Sequence, residues 1–168
     1  EEAKLVTSDA HSGLVSALTQ ALSGSAWQRC TVHFMRNVLA QISHKDKKQV
    51  ANALKLIFEQ PDHRAAQMYL ERLAEGMQSH WPKAADMLLE AKDDILVYMT
   101  FPEYHHRSIH SVNRLERLNR EIRRRTRVMG VFPDRTSGYR LVSTLPVNMD
   151  EDWRAWRCYM GKEGVKKI

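Results

Sequence analysis

The spacing of apolar positions changes twice in the first hundred residues. Lys4–Ser8 is a short β-prone run and reads as a strand. Leu14, Val15, Leu18 and Leu22 then recur on one helix face, and Ser23-Gly24-Ser25 stops that helix. Asp9 and Ser12 each offer a side-chain oxygen where the helix would begin. A second strand is expected over Ala26–Val32, which carries Trp27, Cys30, Thr31 and Val32. Strand, helix and strand in that order predict two parallel neighbours joined by a right-handed crossover.

Beyond His33 the strand signal disappears. From about Phe34 to Thr100 the pattern is helical. Val50, Leu54, Ile57 and Phe58 make one stripe, Met68, Leu70 and Leu73 a second, and Met87, Leu88, Ile95 and Met99 a third. Pro61 and Pro82 sit at expected helix starts. Three or four helices joined by short loops are expected there. Another helix is expected from about Ser111 to Val128, stopped by Gly130 and Pro133. Two more would lie near 134–145 and 150–160, although Gly138 and Pro146 interrupt that stretch.

Charge singles out one of these segments. The 168 residues suit one domain or most of one, and 43% hydrophobic with 27% charged residues is ordinary for a globular chain. The net charge of +6 is concentrated: residues 114–127 hold seven Arg against two Glu, a local +5. At about 100° per residue, Asn113, Glu116, Arg120, Arg123 and Arg127 share one helix face, and Leu115, Leu118, Ile122 and Met129 lie on another. One face can dock on a core while the other sets a carboxylate in a field of guanidinium groups. So many arginines with few compensating acids favour a polyanionic partner over plain solvation. Trp27, Trp81, Trp153 and Trp156 do not alternate with basic residues, so no base-stacking platform is indicated.

Cys30 and Cys158 are the only cysteines, which gives no disulfide framework and points to a reducing compartment. No apolar run is long enough to span a bilayer, and no signal-peptide pattern is present. Because the chain opens on Glu1 rather than Met, a processed product or a fragment is expected.

Three sets of residues could carry chemistry. Asp9 lies at the C-terminal end of an expected parallel strand, the edge where open α/β sheets bind ligands, and its carboxylate can hold a divalent metal or cap the following helix. Glu121 has Arg124 and Arg125 three and four residues on, with Arg117 four before, and is expected to be absorbed in ion pairs. Glu116 is nearer the helix N-terminus, where negative charge is favoured, and is the better metal carboxylate of the two; a salt-bridged surface is the alternative for both. Cys30 and His33 form a lone Cys-x-x-His. A structural zinc site needs four ligands, and Cys158, His105, His106 and His110 offer no second pair at ligand spacing. A buried thiol at a strand end beside a polar His is the simpler reading.

Four blocks together resemble a known family. They are Ser8-Asp9-Ala10-His11-x-Gly13-Leu14; Trp27-Gln28-Arg29-Cys30-x-Val32-His33-Phe34-x-Arg36-Asn37; Asn113-x-x-Glu116-Arg117-x-Asn119-x-Glu121-x-Arg123-Arg124-Arg125-Thr126; and Gly130-x-Phe132-Pro133. In order and spacing, from about Lys4 to Met160, the chain closely resembles the Mutator-type transposases of bacterial insertion sequences. The resemblance implies a mostly helical α/β chain, a partial ribonuclease H-like fold with an all-helical insertion. Residues 1–35 would be the partial core, 36–105 the insertion, and 106–168 the Arg-rich helix and C-terminal helices that complete the core.

The resemblance also implies an Asp-Asp-Glu triad, with the family's second Asp on Asp9 and its Glu on Glu116 as catalytic and metal-binding residues. The first Asp would lie upstream of Glu1, so these 168 residues alone are expected to be inactive. In the intact parent, two Mg²⁺ ions are the expected cofactors for hydrolysis and strand transfer at transposon ends. Double-stranded DNA, as transposon ends and target, is the expected partner. Arg120, Arg123, Arg124 and Arg127 are the expected phosphate contacts. Cys30 and His33 fall on the family's Cys-x-x-His motif, with a structural role or one in assisting the DNA strand left open. A homo-oligomeric parent in the bacterial cytoplasm, at the nucleoid and away from membranes, is implied as well. A DNA-binding remnant without catalysis and a ribonuclease H-like nuclease of other purpose remain alternatives.

Overall fold

A computed structural model describes residues 3–155. It divides into two compact units, Glu1–Ser111 and Val112–Ile168. Cys158 and Trp156 lie outside the described residues.

The first unit opens with β1 (Leu5–Ser8), α1 (Ser12–Ala21) and β2 (Ala26–Arg29). The strands pair in parallel, as expected, with Leu5 opposite Ala26 and Ser8 opposite Arg29. β2 stops three residues short of the expected end, because Cys30 begins the turn into α2 (Thr31–Ala40). The β-prone Thr31 and Val32 are drawn into that helix: Thr31 is buried there, and its N–H and hydroxyl both bond the His110 carbonyl.

Side chains alternate across the two strands. Val6 and Trp27 share a small cavity with Leu18 and Leu22 at α1. Thr7 and Gln28 face the other way. The Thr7 hydroxyl donates to the Ile109 carbonyl at 2.6 Å. Gln28 is fully buried: its Nε2 donates to the Ile95 carbonyl at 3.0 Å and its Oε1 accepts from the Tyr98 N–H at 2.7 Å.

α3 (Lys47–Phe58), α4 (His63–Met77) and α5 (Pro82–Ile95) follow, then a 3₁₀ turn over Val97–Thr100 and α6 (Glu103–Ile109). Among the described residues no strand occurs after Arg29, so the helical block is as expected. The core lies between α2 and α5 and is built on Phe34, Val38, Leu54, Ile57, Leu70, Leu88 and Ile95. Pro82 occupies the first turn of α5, but Pro61 precedes α4, whose N-cap is Asp62, accepting from the Ala65 N–H at 2.8 Å. The second stripe also differs from expectation. Met68 is 46% exposed, and α4 buries Ala66, Leu70, Ala74 and Met77. Steps of three and four residues keep those four side chains on one face, from which Met68 points away.

The second unit holds α7 (Asn113–Met129) and α8 (Arg135–Ala155). Gly130, at φ 67°, ends α7 in a conformation that favours glycine. Where two C-terminal helices are expected, near 134–145 and 150–160, the described residues hold one, which runs through Pro146; the part of the second expectation past Ala155 lies outside the described residues. A proline forfeits one backbone hydrogen bond, and α8 continues on both sides of it. Gly138 does not break α8 either; a methyl group there would meet the Phe132 ring at ordinary van der Waals distance.

No residue of α7 is buried: Leu118 and Ile122 are half-buried, whereas Leu115 and Met129 are more than half exposed. Such a highly charged helix has too narrow an apolar face for full burial against α8 alone. The whole is a mostly helical α/β structure, and a two-stranded sheet does not by itself specify a ribonuclease H-like fold. No helix among the described residues is long and apolar enough to cross a membrane.

Candidate carboxylate site and nucleic-acid interface

Asp9 follows directly on the last residue of β1, at the C-terminal edge of the parallel pair. It does not cap α1. That helix begins at Ser12 with His11 as N-cap, and no side chain bonds its first turn. An N-cap reaches the amides two and three residues ahead; Asp9 is two residues upstream of that position, and Ser12 is already inside the helix. Asp9 is exposed, and no hydrogen bond or ion pair engages its carboxylate among the described residues.

The main chain beside it is tied down. The Cys30 N–H donates to the Ser8 carbonyl at 2.7 Å. The Ser8 hydroxyl, on a buried residue, donates to the Asp9 carbonyl at 2.9 Å and accepts from the Trp27 indole N–H at 2.9 Å. Neither Ser8 nor Trp27 stands out by residue type or spacing. Their presence in the family blocks is the only hint, because a hydroxyl–indole contact across strands leaves no mark in spacing.

Cys30 is the fully buried N-cap residue of α2, and His33 is half-buried in that helix's first turn. Cys30 directly follows the last residue of β2, so the buried thiol lies where the strand ends and α2 begins. Among the described residues, no group of three or more His, Cys, Asp and Glu side chains could hold a metal ion.

On α7 the two glutamates differ. Glu121 accepts from Arg124 Nε at 3.0 Å and Nη2 at 2.8 Å, and from Arg125 Nε at 2.9 Å. The hydrogen bonds from Arg124, then the one from Arg125, bring its pKa down to about 2. Absorption of Glu121 in ion pairs was expected, and it engages Arg124, one of the four arginines read as phosphate contacts. Arg120, Arg123 and Arg127 are exposed. Glu116 lies half-buried in the first turn, the end of the helix dipole that favours an anion.

The first unit also holds a cleft of about 810 Å³, bordered by Val32, Phe58, Tyr98, His106, Arg107 and His110. Burial, with His106 nearby, lowers the His110 pKa, and burial pushes Tyr98 up to about 12. Glu59, Asp62 and Glu103 line the same cleft, so its charge is mixed.

Sequence comparison supplies the class to which these features belong. The family model described as "Transposase, Mutator family" matches residues 1–155, and the chain belongs to that family. Among curated relatives, the transposase for insertion sequence element IS1081 of Mycobacterium tuberculosis is 40% identical over 159 residues, covering 95% of this chain and 38% of that protein. The transposase for ISRM5 of Rhizobium meliloti is 34% identical, covering 98% of this chain and 41% of its own length. That for IS256 in transposon Tn4001 of Staphylococcus aureus is 37% identical, covering 89% and 39%. The chain therefore spans about two-fifths of the length of these relatives.

Proposed function

We propose that these residues form part of the catalytic region of a DNA transposase, with Asp9 and Glu116 as two of its metal-binding carboxylates on a ribonuclease H-like core. The observation that carries this reading is Asp9 itself: an exposed carboxylate with no partner among the described residues, at the C-terminal edge of a parallel strand pair, in a Mutator-family chain. Asp9 and Glu116 supply the hard oxygen donors that Mg²⁺ prefers. When bound, two Mg²⁺ ions would activate water and stabilise the leaving 3′ oxygen at a phosphodiester. In this reading a third carboxylate comes from sequence beyond these 168 residues.

The chain's own groups have three tasks. Asp9 and Glu116 present negative charge. The Thr7 hydroxyl donates to the Ile109 carbonyl, and the Thr31 N–H and hydroxyl donate to the His110 carbonyl, which fastens the end of α6 beside the strand pair. Arg120, Arg123 and Arg127 are exposed and offer guanidinium groups to duplex phosphates, and Arg124 offers the donors that Glu121 leaves over. A homo-oligomeric parent acting on transposon ends and target DNA completes the proposal.

The test is cleavage and joining of a labelled transposon-end duplex by the full-length protein carrying this chain. Asp9→Asn and Glu116→Gln should each abolish both steps while leaving duplex binding. Full activity in either variant removes that residue from the metal site. Activity that survives Glu116→Gln and is lost in Glu121→Gln would transfer the role to Glu121.

A further inference from the structure

We infer that Trp27 and Ser8 are positioning residues for the Asp9 carboxylate, acting through a directed hydrogen-bond relay onto its main chain. The inference rests on the reading of Asp9 as a metal-binding carboxylate. Its direction follows from chemistry: an indole N–H can only donate, so the Ser8 oxygen accepts from Trp27 and its single proton goes to the Asp9 carbonyl. Each bond polarises the next in a low-dielectric setting, and Ser8 is 7% exposed.

The relay completes a clamp. The peptide before Asp9 is held at the Ser8 carbonyl by the Cys30 N–H, and the peptide after it is held at the Asp9 carbonyl by the Ser8 hydroxyl. Asp9 sits in a three-residue connection that neither a helix nor a cap restrains. The clamp therefore fixes a residue whose carboxylate has no partner among the described residues. Conformational entropy that a cation would otherwise remove on binding is already lost on folding. Trp27 is itself placed by packing, since its ring borders the cavity shared with Val6, Leu18 and Leu22.

The experiment is Mn²⁺ titration of the full-length protein by water-proton relaxation, comparing wild type with Trp27→Phe, Ser8→Ala, Ser8→Thr, Ser8→Ala/Trp27→Phe and Asp9→Asn. Asp9→Asn defines the binding that depends on Asp9. Trp27→Phe keeps the ring and removes the donor. It and Ser8→Ala should each weaken that binding about 10-fold. The double variant should be no weaker than Ser8→Ala, because the two bonds act in series. Ser8→Thr, which keeps the hydroxyl, should restore it. Amide exchange at Cys30, whose N–H donates to the Ser8 carbonyl in the same clamp, should quicken in the two weakened single variants and not in Ser8→Thr.

Binding within twofold of wild type in Trp27→Phe and Ser8→Ala, with loss in Asp9→Asn, would overturn the relay and leave the metal role of Asp9 standing. Weakened binding in all variants, Ser8→Thr included, in step with a lost folded fraction would reduce the pair to a structural role and also overturn it. Binding unaffected by Asp9→Asn, or none in wild type, would remove Asp9 from the metal site and the relay with it.

Discussion

Replacing Gln28 by Leu should destabilise the first unit by about 1–4 kcal/mol, the net of two unpaired backbone groups and one new apolar contact. Gln28 is fully buried and joins β2 to the end of α5 and the 3₁₀ turn. Leu has nearly the same volume and no polar atoms. It leaves the Tyr98 N–H without the acceptor it holds at 2.7 Å and the Ile95 carbonyl without the donor at 3.0 Å. Each buried group left unpaired costs about 1–3 kcal/mol. Against this, transfer of the apolar side chain from water returns about 1.5–3 kcal/mol, of which Gln28 methylenes already supply part. Urea unfolding followed by circular dichroism measures the difference, with the slope compared to ensure that only the midpoint moves. Gln28→Glu is the sharper control. One carboxylate oxygen can still accept from Tyr98, but the other faces the Ile95 and Arg29 carbonyls that the amide nitrogen now serves. Its folded-state pKa would rise above the unfolded value, so stability relative to wild type should be kept at low pH and lost as pH rises through the folded pKa. A Gln28→Leu midpoint equivalent to less than about 0.5 kcal/mol, the range of an ordinary surface change, would refute the reasoning and show that the two groups find other partners.

Further measurements bear on other parts of the structure. Leu70→Ala should cost about 2–5 kcal/mol and Met68→Ala under about 1 kcal/mol in the same urea assay; equal losses would contradict the burial of α4. The Glu121 carboxyl should titrate near 2, followed by its carbon NMR shift, and move upward in Arg124→Ala or in high salt. Its folded pKa lies below the unfolded value, so any stabilisation is present above the unfolded pKa and lost as pH falls toward 2; a midpoint above 4 in wild type would mean the pairs do not persist in solution. Arg123→Glu/Arg127→Glu should weaken duplex binding and flatten its salt dependence by roughly one log–log unit for each phosphate that is no longer neutralised, and unchanged binding would take those arginines out of the interface. In a Cys158→Ser background, the Cys30 thiol should react with a disulfide reagent only as the protein unfolds, since Cys30 is fully buried; immediate stoichiometric reaction in buffer would contradict that burial.

What could be read from sequence followed the reach of the interactions concerned. The parallel strand pair was legible because β-prone runs, a helical stripe and a Ser-Gly-Ser stop are all local. The Glu121 pairs were legible because three- and four-residue spacing on a helix is a contact rule. The end of β2 was not. Thr31 and Val32 have strand propensity, and only bonds to His110, some eighty positions away, draw Thr31 into the start of α2. The α4 face is hidden for a different reason: Ala66 and Ala74 carry its burial with small side chains, while the conspicuous Met68 is exposed. Among the described residues α8 continues through Pro146 because helix-compatible residues on both sides of it outweigh the single bond it forfeits.

The same distinction separates the two carboxylates of α7. Both glutamates sit in one Arg-rich segment, and composition cannot tell them apart. Glu121 has two guanidinium partners at bonding distance, and a carboxylate held near a pKa of 2 by them would have to break those bonds to bind a metal. Glu116 stands one and a half turns earlier, in the first turn, where the helix dipole favours its charge. Asp9 shows the complementary arrangement in the first unit, with main chain held and carboxylate unengaged. If Asp9 and Glu116 act on a metal, exchanging the roles on α7 should fail in both directions. Arg124→Ala/Arg125→Ala would release Glu121 without rescuing Glu116→Gln, because Glu121 lies five residues on, about 500° around the helix at 100° per residue, and so on a different face. Rescue of cleavage in that triple variant would show that charge, rather than position, selects the carboxylate.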